Sequence, residues 1–160
     1  MDVWAVFEDG ELFGAVVDAL AMSIAPLEPT KVISVESRGF LLGGAVAATL
    51  GVGFVAVRKP GSLFPGEKTT VVTGPDYRGN QTELRFLVRS VAPHDRVAMV
   101  DDWVEVGAQA LAVRSLVEEQ GATFLGVATM VDGSREGVAD AIPIIASLAN
   151  GADLDDGAEG

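Results

Sequence analysis

The sequence has no cysteine and a single histidine, His94. The first absence excludes a disulfide framework, a thiolate zinc site and a cysteine nucleophile, and it fits residence in the cytoplasm. The second leaves no histidine cluster for a metal, and no serine, histidine and acid fall in a triad-like order. His94 follows Pro93 in a turn before a strand and is expected to be an exposed loop residue. Basic side chains are scarce overall, 11 against 23 acids for a net charge of −12, and residues 1–30 contain none. A surface that binds nucleic acid neutralises phosphates with clustered Lys and Arg, so a nucleic-acid partner is not expected. Long hydrophobic runs are missing too. The longest near the N-terminus, residues 13–21, is interrupted by Asp18 and has no basic region before it, so neither a signal peptide nor a membrane span is expected.

What the sequence does have is enough apolar residues, 49% of 160, to bury a core as a single domain over residues 1–150. Residues 151–160 carry Asp153, Asp155, Asp156 and Glu159 and read as a disordered acidic tail. Seven of the eleven bases (Arg58, Lys59, Lys68, Arg78, Arg85, Arg89 and Arg96) fall in one central segment. Such a concentration in an acidic protein either attracts a small anion or marks a solvated sheet edge.

Leu12, Phe13, Val16, Val17 and Leu20 lie at helical spacing, closed by Pro26 and Pro29. A strand is predicted over 31–35, a helix over 41–50 and a strand over 54–57, which together make a βαβ unit. Residues 59–79 are rich in turns and read as a mobile lid or an irregular β excursion, with short strands predicted over 69–73 and 82–88. A buried strand over 97–100, an amphipathic helix over 108–119, a strand over 123–130 and a final helix over 138–148, with Pro143 in its first turn, complete the pattern. The fold class is therefore α/β, a mostly parallel twisted sheet with helices on both faces.

In such a sheet, ligands bind beyond the C-terminal strand ends. Three loops arrive there, at residues 35–40, 58–61 and 101–109. Asp101 and Asp102 are acceptors suited to sugar hydroxyls or to a divalent metal. The segment after them leads into a helix N-terminus that favours phosphate, with Gly107 allowing close approach and Gln109 adding an amide. The plainer alternative has Asp102 capping the next helix and Asp101 merely exposed. Glu36, Ser37, Arg38 and Gly39 form a second anion nest, within reach of Lys59. Trp103 is either packed in the core or a cover for the sugar. Trp4, Phe7 and Phe13 either anchor the N-terminal arm or line part of a base pocket.

Two stretches carry a family resemblance. VISVESRGFLLGGAVAATLGVGFVAVRKPGSLFPG, residues 32–66, and VAMVDDWVEVGAQ, residues 97–109, resemble the pyrophosphate loop and the phosphoribosyl diphosphate motif of the type I phosphoribosyltransferases, most closely the adenine phosphoribosyltransferase branch. The resemblance spans residues 12–132. It implies transfer of a phosphoribosyl group from 5-phosphoribosyl 1-diphosphate to a purine or related base, with Mg2+, release of pyrophosphate, and a homodimer. Asp101 and Asp102 would then meet the ribose hydroxyls, one of them through magnesium. Glu105, Val106, Gly107, Ala108 and Gln109 would wrap the 5-phosphate, residues 36–39 with Arg58 and Lys59 would hold pyrophosphate, and residues 60–82 would close over the site. Tyr77 and Glu83 would order that closed loop, Glu83 also assisting proton movement at the base nitrogen. Glu105 has a second implied role, facing the base.

The departures from the family pattern are specific. Where the adenine branch usually reads DDLLATGGT, this chain reads DDWVEVGAQ, so two threonine hydroxyls are replaced by Val106 and Gln109 and a glycine by Ala108. Each lost bond to a charged phosphate would weaken binding by roughly 1.5–3 kcal/mol. The N-terminus also lacks the FRDIT-like stretch of the branch. A second reading follows, a regulatory or effector-binding protein that keeps the fold without turnover.

Overall fold

The computed structural model describes residues 3–61, 63–75, 78–105, 107–134 and 141–151. Asp9 opens the first long helix: its carboxylate accepts the backbone N–H groups of Glu11 and Leu12, both at 3.0 Å. This N-cap satisfies two donors that the helix itself leaves free. Helix α2 (Gly10–Ile24) follows, preceded by the short α1 (Val3–Glu8) and ended by a 3-10 turn at Ala25–Leu27 that contains Pro26. The remaining elements are β1 (Lys31–Val35), α3 (Arg38–Leu50), β2 (Gly53–Val57), β3 (Lys68–Val72), β4 (Glu83–Leu87), β5 (Arg96–Val104), α4 (Ala108–Glu119), β6 (Thr123–Asp132) and β7 (Ile144–Asn150).

Five strands form one sheet in the order β2-β1-β5-β6-β7, every neighbouring pair parallel. Parallel strands are covered on both faces, which is why β1 and β5 read as nearly unbroken apolar runs. Successive side chains go to opposite sides. Val32 joins Leu20, Ile24, Leu42 and Val46 under α2 and α3, while Ile33 joins Val113, Leu116, Leu84 and Phe86 under α4 and the β3–β4 hairpin. Each of these fully buried side chains contributes about 1.5–3 kcal/mol relative to exposure. Helix α3 rides unusually close to β1, because a Cβ at Gly43 would stand 1.9 Å from Ser34 Oγ. The expected α/β class with helices on both faces is borne out.

Two expectations change. The segment read as a final helix holds strand β7, paired in parallel with β6, and Pro143 precedes it instead of opening a helix. β-Branched Ile144 and Ile145 suit a pleated surface, and proline is tolerated at the entry to an edge strand. Strand β5 runs four residues past Val100, so the two aspartates belong to the strand. Gly10–Leu27 is long and apolar enough to cross a membrane by length and composition alone, with a mean hydropathy of 1.4. Its Val17, Leu20, Ala21 and Ile24 are buried in the domain core.

The β excursion is an antiparallel hairpin of β3 and β4, tied to the end of β2 by a bridge between Arg58 and Arg85. Its inner residues Leu84 and Phe86 are fully buried. The acidic tail beyond residue 151 lies outside the described residues.

Candidate active site

Chain direction in the sheet fixes where a ligand fits. From β1 the chain crosses through α3 to β2 on one side, and from β5 it crosses through α4 to β6 on the other. Loops leaving the adjacent strands β1 and β5 therefore diverge and open a crevice between them, the switch point at which open α/β sheets bind ligands. A cavity of about 670 Å³ lies there, lined by both loops.

Two helices point their N-termini at this cavity, and neither has a side-chain cap. Helix α3 starts after Ser37 and α4 after Gly107, with no side-chain hydrogen bond to the first turn in either case. Asp9 performs that task for α2, away from the cavity, so the contrast lies within one chain. Uncapped backbone N–H groups at the positive ends of two helices thus face one crevice, an arrangement suited to anions. Gly107 has φ 67°, a left-handed conformation that costs other residues roughly 1–2 kcal/mol. Ala108 and the exposed Gln109 also line the cavity.

Between these ends stand the aspartates, which the climb of β5 carries to the cavity floor. Asp101 Oδ1 accepts the Asp102 backbone N–H at 3.0 Å. Burial first, and the neighbouring Asp102 charge second, push the Asp101 carboxyl well above the usual carboxylate range. Asp102 Oδ2 lies 2.7 Å from Arg38 Nη2 as an ion pair. That contact is off the line of a hydrogen bond, so this buried oxygen has no aligned donor. Asp102 thus faces α3 across the crevice and does not cap α4. The pair is fitted to accept hydroxyl donors or part of a cation's shell.

Glu36 turns out to be a buckle. Its carboxylate accepts Arg58 Nε at 2.5 Å and the Lys59 backbone N–H at 2.6 Å, joining the loop after β1 to the end of β2. The Lys59 side chain thereby comes to the cavity wall, whereas the Arg58 guanidinium is held by Glu36 and lies 5.9 Å from the Phe64 ring. The Glu36–Ser37 peptide is cis.

The structure thus gathers Glu36, Ser37, Arg38, Gly39, Lys59, Asp101, Asp102, Glu105, Gly107, Ala108 and Gln109 around one cavity. Arg58 is one layer behind it. Glu83 stands at the start of β4, 3.8 Å from Arg85, outside the cavity lining. Tyr77 and Val106 lie outside the described residues. Trp103 does two jobs, lining the cavity while packing against the core. His94 is exposed, as expected. Trp4 reaches the cavity from α1, with Arg38 Cζ 5.9 Å from its ring centre. Sequence alone could not choose between anchor and pocket for it, because the closeness of Trp4 to Arg38 is a tertiary fact.

Known proteins resolve the family. The chain is 38% identical over 131 residues to an adenine phosphoribosyltransferase of Synechococcus sp., covering 82% of this chain and 75% of that protein. It is 33% identical over 148 residues to one from Streptomyces clavuligerus, covering 92% and 82%. This chain belongs to the adenine phosphoribosyltransferase family. Among solved structures, the adenine phosphoribosyltransferase of Rhodothermus marinus superposes with a TM-score of 0.80 at 31% identity, covering 93% of this chain and 85% of that one. The Giardia lamblia adenine phosphoribosyltransferase complexed with 9-deazaadenine gives 0.83 at 30%, covering 93% and 84%. No protein-family model matches the chain. Membership in the adenine phosphoribosyltransferase family makes the protein an enzyme of the pentosyltransferase class, as the two quoted motifs imply.

Proposed function

We propose that this chain transfers the 5-phosphoribosyl group of 5-phosphoribosyl 1-diphosphate to adenine, releasing pyrophosphate. The observation that carries the reading is the convergence of two uncapped helix N-termini and an aspartate pair on one crevice. The first turn of α4, with Gly107, Ala108 and Gln109, takes the 5-phosphate. Asp101 and Asp102 accept hydrogen bonds from the ribose hydroxyls. Residues 36–39 and Lys59 take the diphosphate, where Lys59 and Arg38 stabilise charge as it collects on the leaving group. Fixing both ends of the donor holds the anomeric carbon in line for the base nitrogen.

Magnesium fits this site only in part. Asp102 Oδ2 is buried without an aligned donor, yet among the described residues no group of three or more His, Cys, Asp or Glu could hold a metal. One or two carboxylates plus substrate phosphates are how Mg2+ is commonly bound. Asp101 and Asp102 would hold it from the protein side, and when bound it would neutralise diphosphate charge. In this reading residues 60–82 close over the bound donor and exclude water, with Tyr77 and Glu83 ordering the closed loop. The reading also includes a cytoplasmic homodimer, for which half-exposed Leu41 on α3 and Phe54 on the edge strand β2 offer apolar surface.

Calorimetry with 5-phosphoribosyl 1-diphosphate, with and without Mg2+, followed by a base screen for turnover, tests the reading. Magnesium-dependent micromolar binding and formation of AMP are expected. Binding without turnover on any purine would assign the chain to a regulatory role instead.

A further inference from the structure

Two basic side chains line the cavity, Arg38 and Lys59. Arg38 is paired with Asp102, whereas Lys59 reaches the wall from the residue pair that follows β2. A long, flexible ammonium serves a fixed point only if the main chain beneath it is fixed, and here every main-chain polar group of Arg58 and Lys59 is tied. The Arg58 N–H donates to the Arg85 carbonyl at 2.8 Å, and the Arg58 carbonyl accepts the Arg85 N–H at 3.0 Å. The Lys59 N–H donates to Glu36 Oε1 at 2.6 Å, and the Lys59 carbonyl accepts Arg85 Nη2 at a longer 3.5 Å. Three of these four bonds end on Arg85. Arg85 is itself well anchored, because its neighbours Leu84 and Phe86 are fully buried and alternation along β4 sends its side chain to the opposite face. The arrangement also has a cost. Arg58 and Arg85 are directly opposed in the bridge, and like charges so placed weaken a strand pair. Glu36 neutralises Arg58, but Glu83 stands 3.8 Å from Arg85 with its own side chain 40% exposed. The main chain of any residue but proline could close the hairpin onto β2. What an arginine adds is a guanidinium that reaches the Lys59 carbonyl.

We propose that Arg85 is a positioning residue, its main chain and guanidinium together fixing the strand end from which Lys59 extends into the cavity. This rests on the phosphoribosyl-transfer reading and deepens it: Lys59 meets the diphosphate, and Arg85, which is not among the residues around the cavity, acts through Lys59. Strand β4 begins at Glu83, directly after residues 60–82. Arg85 therefore joins the far end of that segment to the ammonium placed for the leaving group, and ordering of the one supports placement of the other.

Arg85→Gln leaves the two main-chain bonds of the bridge in place and removes the guanidinium. Calorimetric titration with pyrophosphate should show affinity falling roughly five- to tenfold, the scale of one lost hydrogen bond. Affinity for ribose 5-phosphate, which takes the other end of the crevice, should hold within about twofold, a split that general loosening of the fold would not produce. In a Lys59→Met background, Arg85→Gln should weaken pyrophosphate binding no further, because residues that act through one another are not additive. Amide hydrogen exchange followed by NMR reads the main chain directly. In Arg85→Gln the Lys59 amide should exchange about tenfold faster, while the Arg58 amide, bonded to a carbonyl that the substitution keeps, should change little. Unchanged exchange at Lys59 would overturn the proposal. Equal weakening of both ligands would overturn it too, as would a full loss of pyrophosphate affinity persisting in Lys59→Met, since the Arg85 charge would then act on the anion directly. Should the unaltered protein bind no pyrophosphate, the transfer reading fails, and exchange at the Lys59 amide still decides whether Arg85 holds that strand end.

Discussion

Asp95, just below the first residue of β5, and Asp102, near its last, are both buried aspartates, and they are treated in opposite ways. Asp95 accepts the Thr30 hydroxyl at 2.7 Å and the Ala92 N–H at 2.8 Å, one bond to each oxygen. Asp102 keeps an oxygen with no aligned donor beside Arg38, next to an Asp101 whose carboxyl burial pushes upward. The lower end of the strand is a finished joint between β1 and β5. The upper end has one acceptor oxygen left over. A buried polar group is normally satisfied by the protein, so within β5 the shortfall at the upper end marks the end that faces the cavity.

The largest effect that would break this contrast is on turnover. Asp102→Asn should lower kcat/KM by about 10²–10³, the scale of removing a charged contact in a pre-organised site. Its thermal midpoint should change little, because the Arg38 side chain left behind is 37% exposed and can be solvated. A cooperative loss of fold in Asp102→Asn, seen by calorimetric melting, would put the upper end in the same class as the lower. Asp95→Ala should do the reverse, costing about 2–3 kcal/mol by stranding the Thr30 hydroxyl and the Ala92 N–H. Its kcat per folded molecule should be unchanged.

The pH dependence sharpens the same contrast. Burial works to raise the Asp95 carboxyl, but the Ala92 N–H, the Thr30 hydroxyl and the nearby Lys31 and His94 charges outweigh it and hold the group below its ordinary value of 3.8. A folded carboxyl with a depressed value binds fewer protons than the unfolded chain, so it adds stability above pH 3.8 that is lost as pH falls through the folded value. The penalty of Asp95→Ala should therefore be full at pH 7 and shrink in denaturant melts below about pH 4. Asp101 has the opposite sign. Its raised folded value means that stability declines as pH climbs above 3.8, and Asp101→Asn should flatten that decline.

Smaller effects follow from the helix ends. Asp9→Ala removes a working cap and should cost about 1 kcal/mol of stability with no change in donor affinity. Gly107→Ala should cost a similar amount through its positive φ but should also weaken ribose 5-phosphate binding, because it displaces the backbone N–H groups of α4. Denaturant melts paired with calorimetric titration distinguish the two.

The strands and helices of the switch point were legible because their patterns are local. Residues 31–35 and 108–119 were expected as strand and helix, and those are the bounds of β1 and α4. The motif loops fell around one cavity for the same reason, each lying at the end of a recognisable strand. Strand β7 was misread because residues 141–148 are apolar at more than one period, and pairing with β6, which the local sequence does not record, decides its form. Helix α1 was missed because six residues are too few to establish a period. Glu36 was read as part of an anion nest, but its carboxylate is committed to Arg58 and to the Lys59 N–H, more than twenty residues away. A long-range partner of that kind is visible only once the chain has folded.

The two uncapped helices also bear on inheritance. A donor that belongs to the main chain has no side chain to lose, so residues 105–109 can drift a long way from the family spelling while the N–H groups of α4 stay in place. Gly107 is the exception, since the course of the backbone there depends on its missing Cβ. At 33–38% identity to the relatives described above, a phosphate site of the proposed kind would be handed down as a shape more faithfully than as letters.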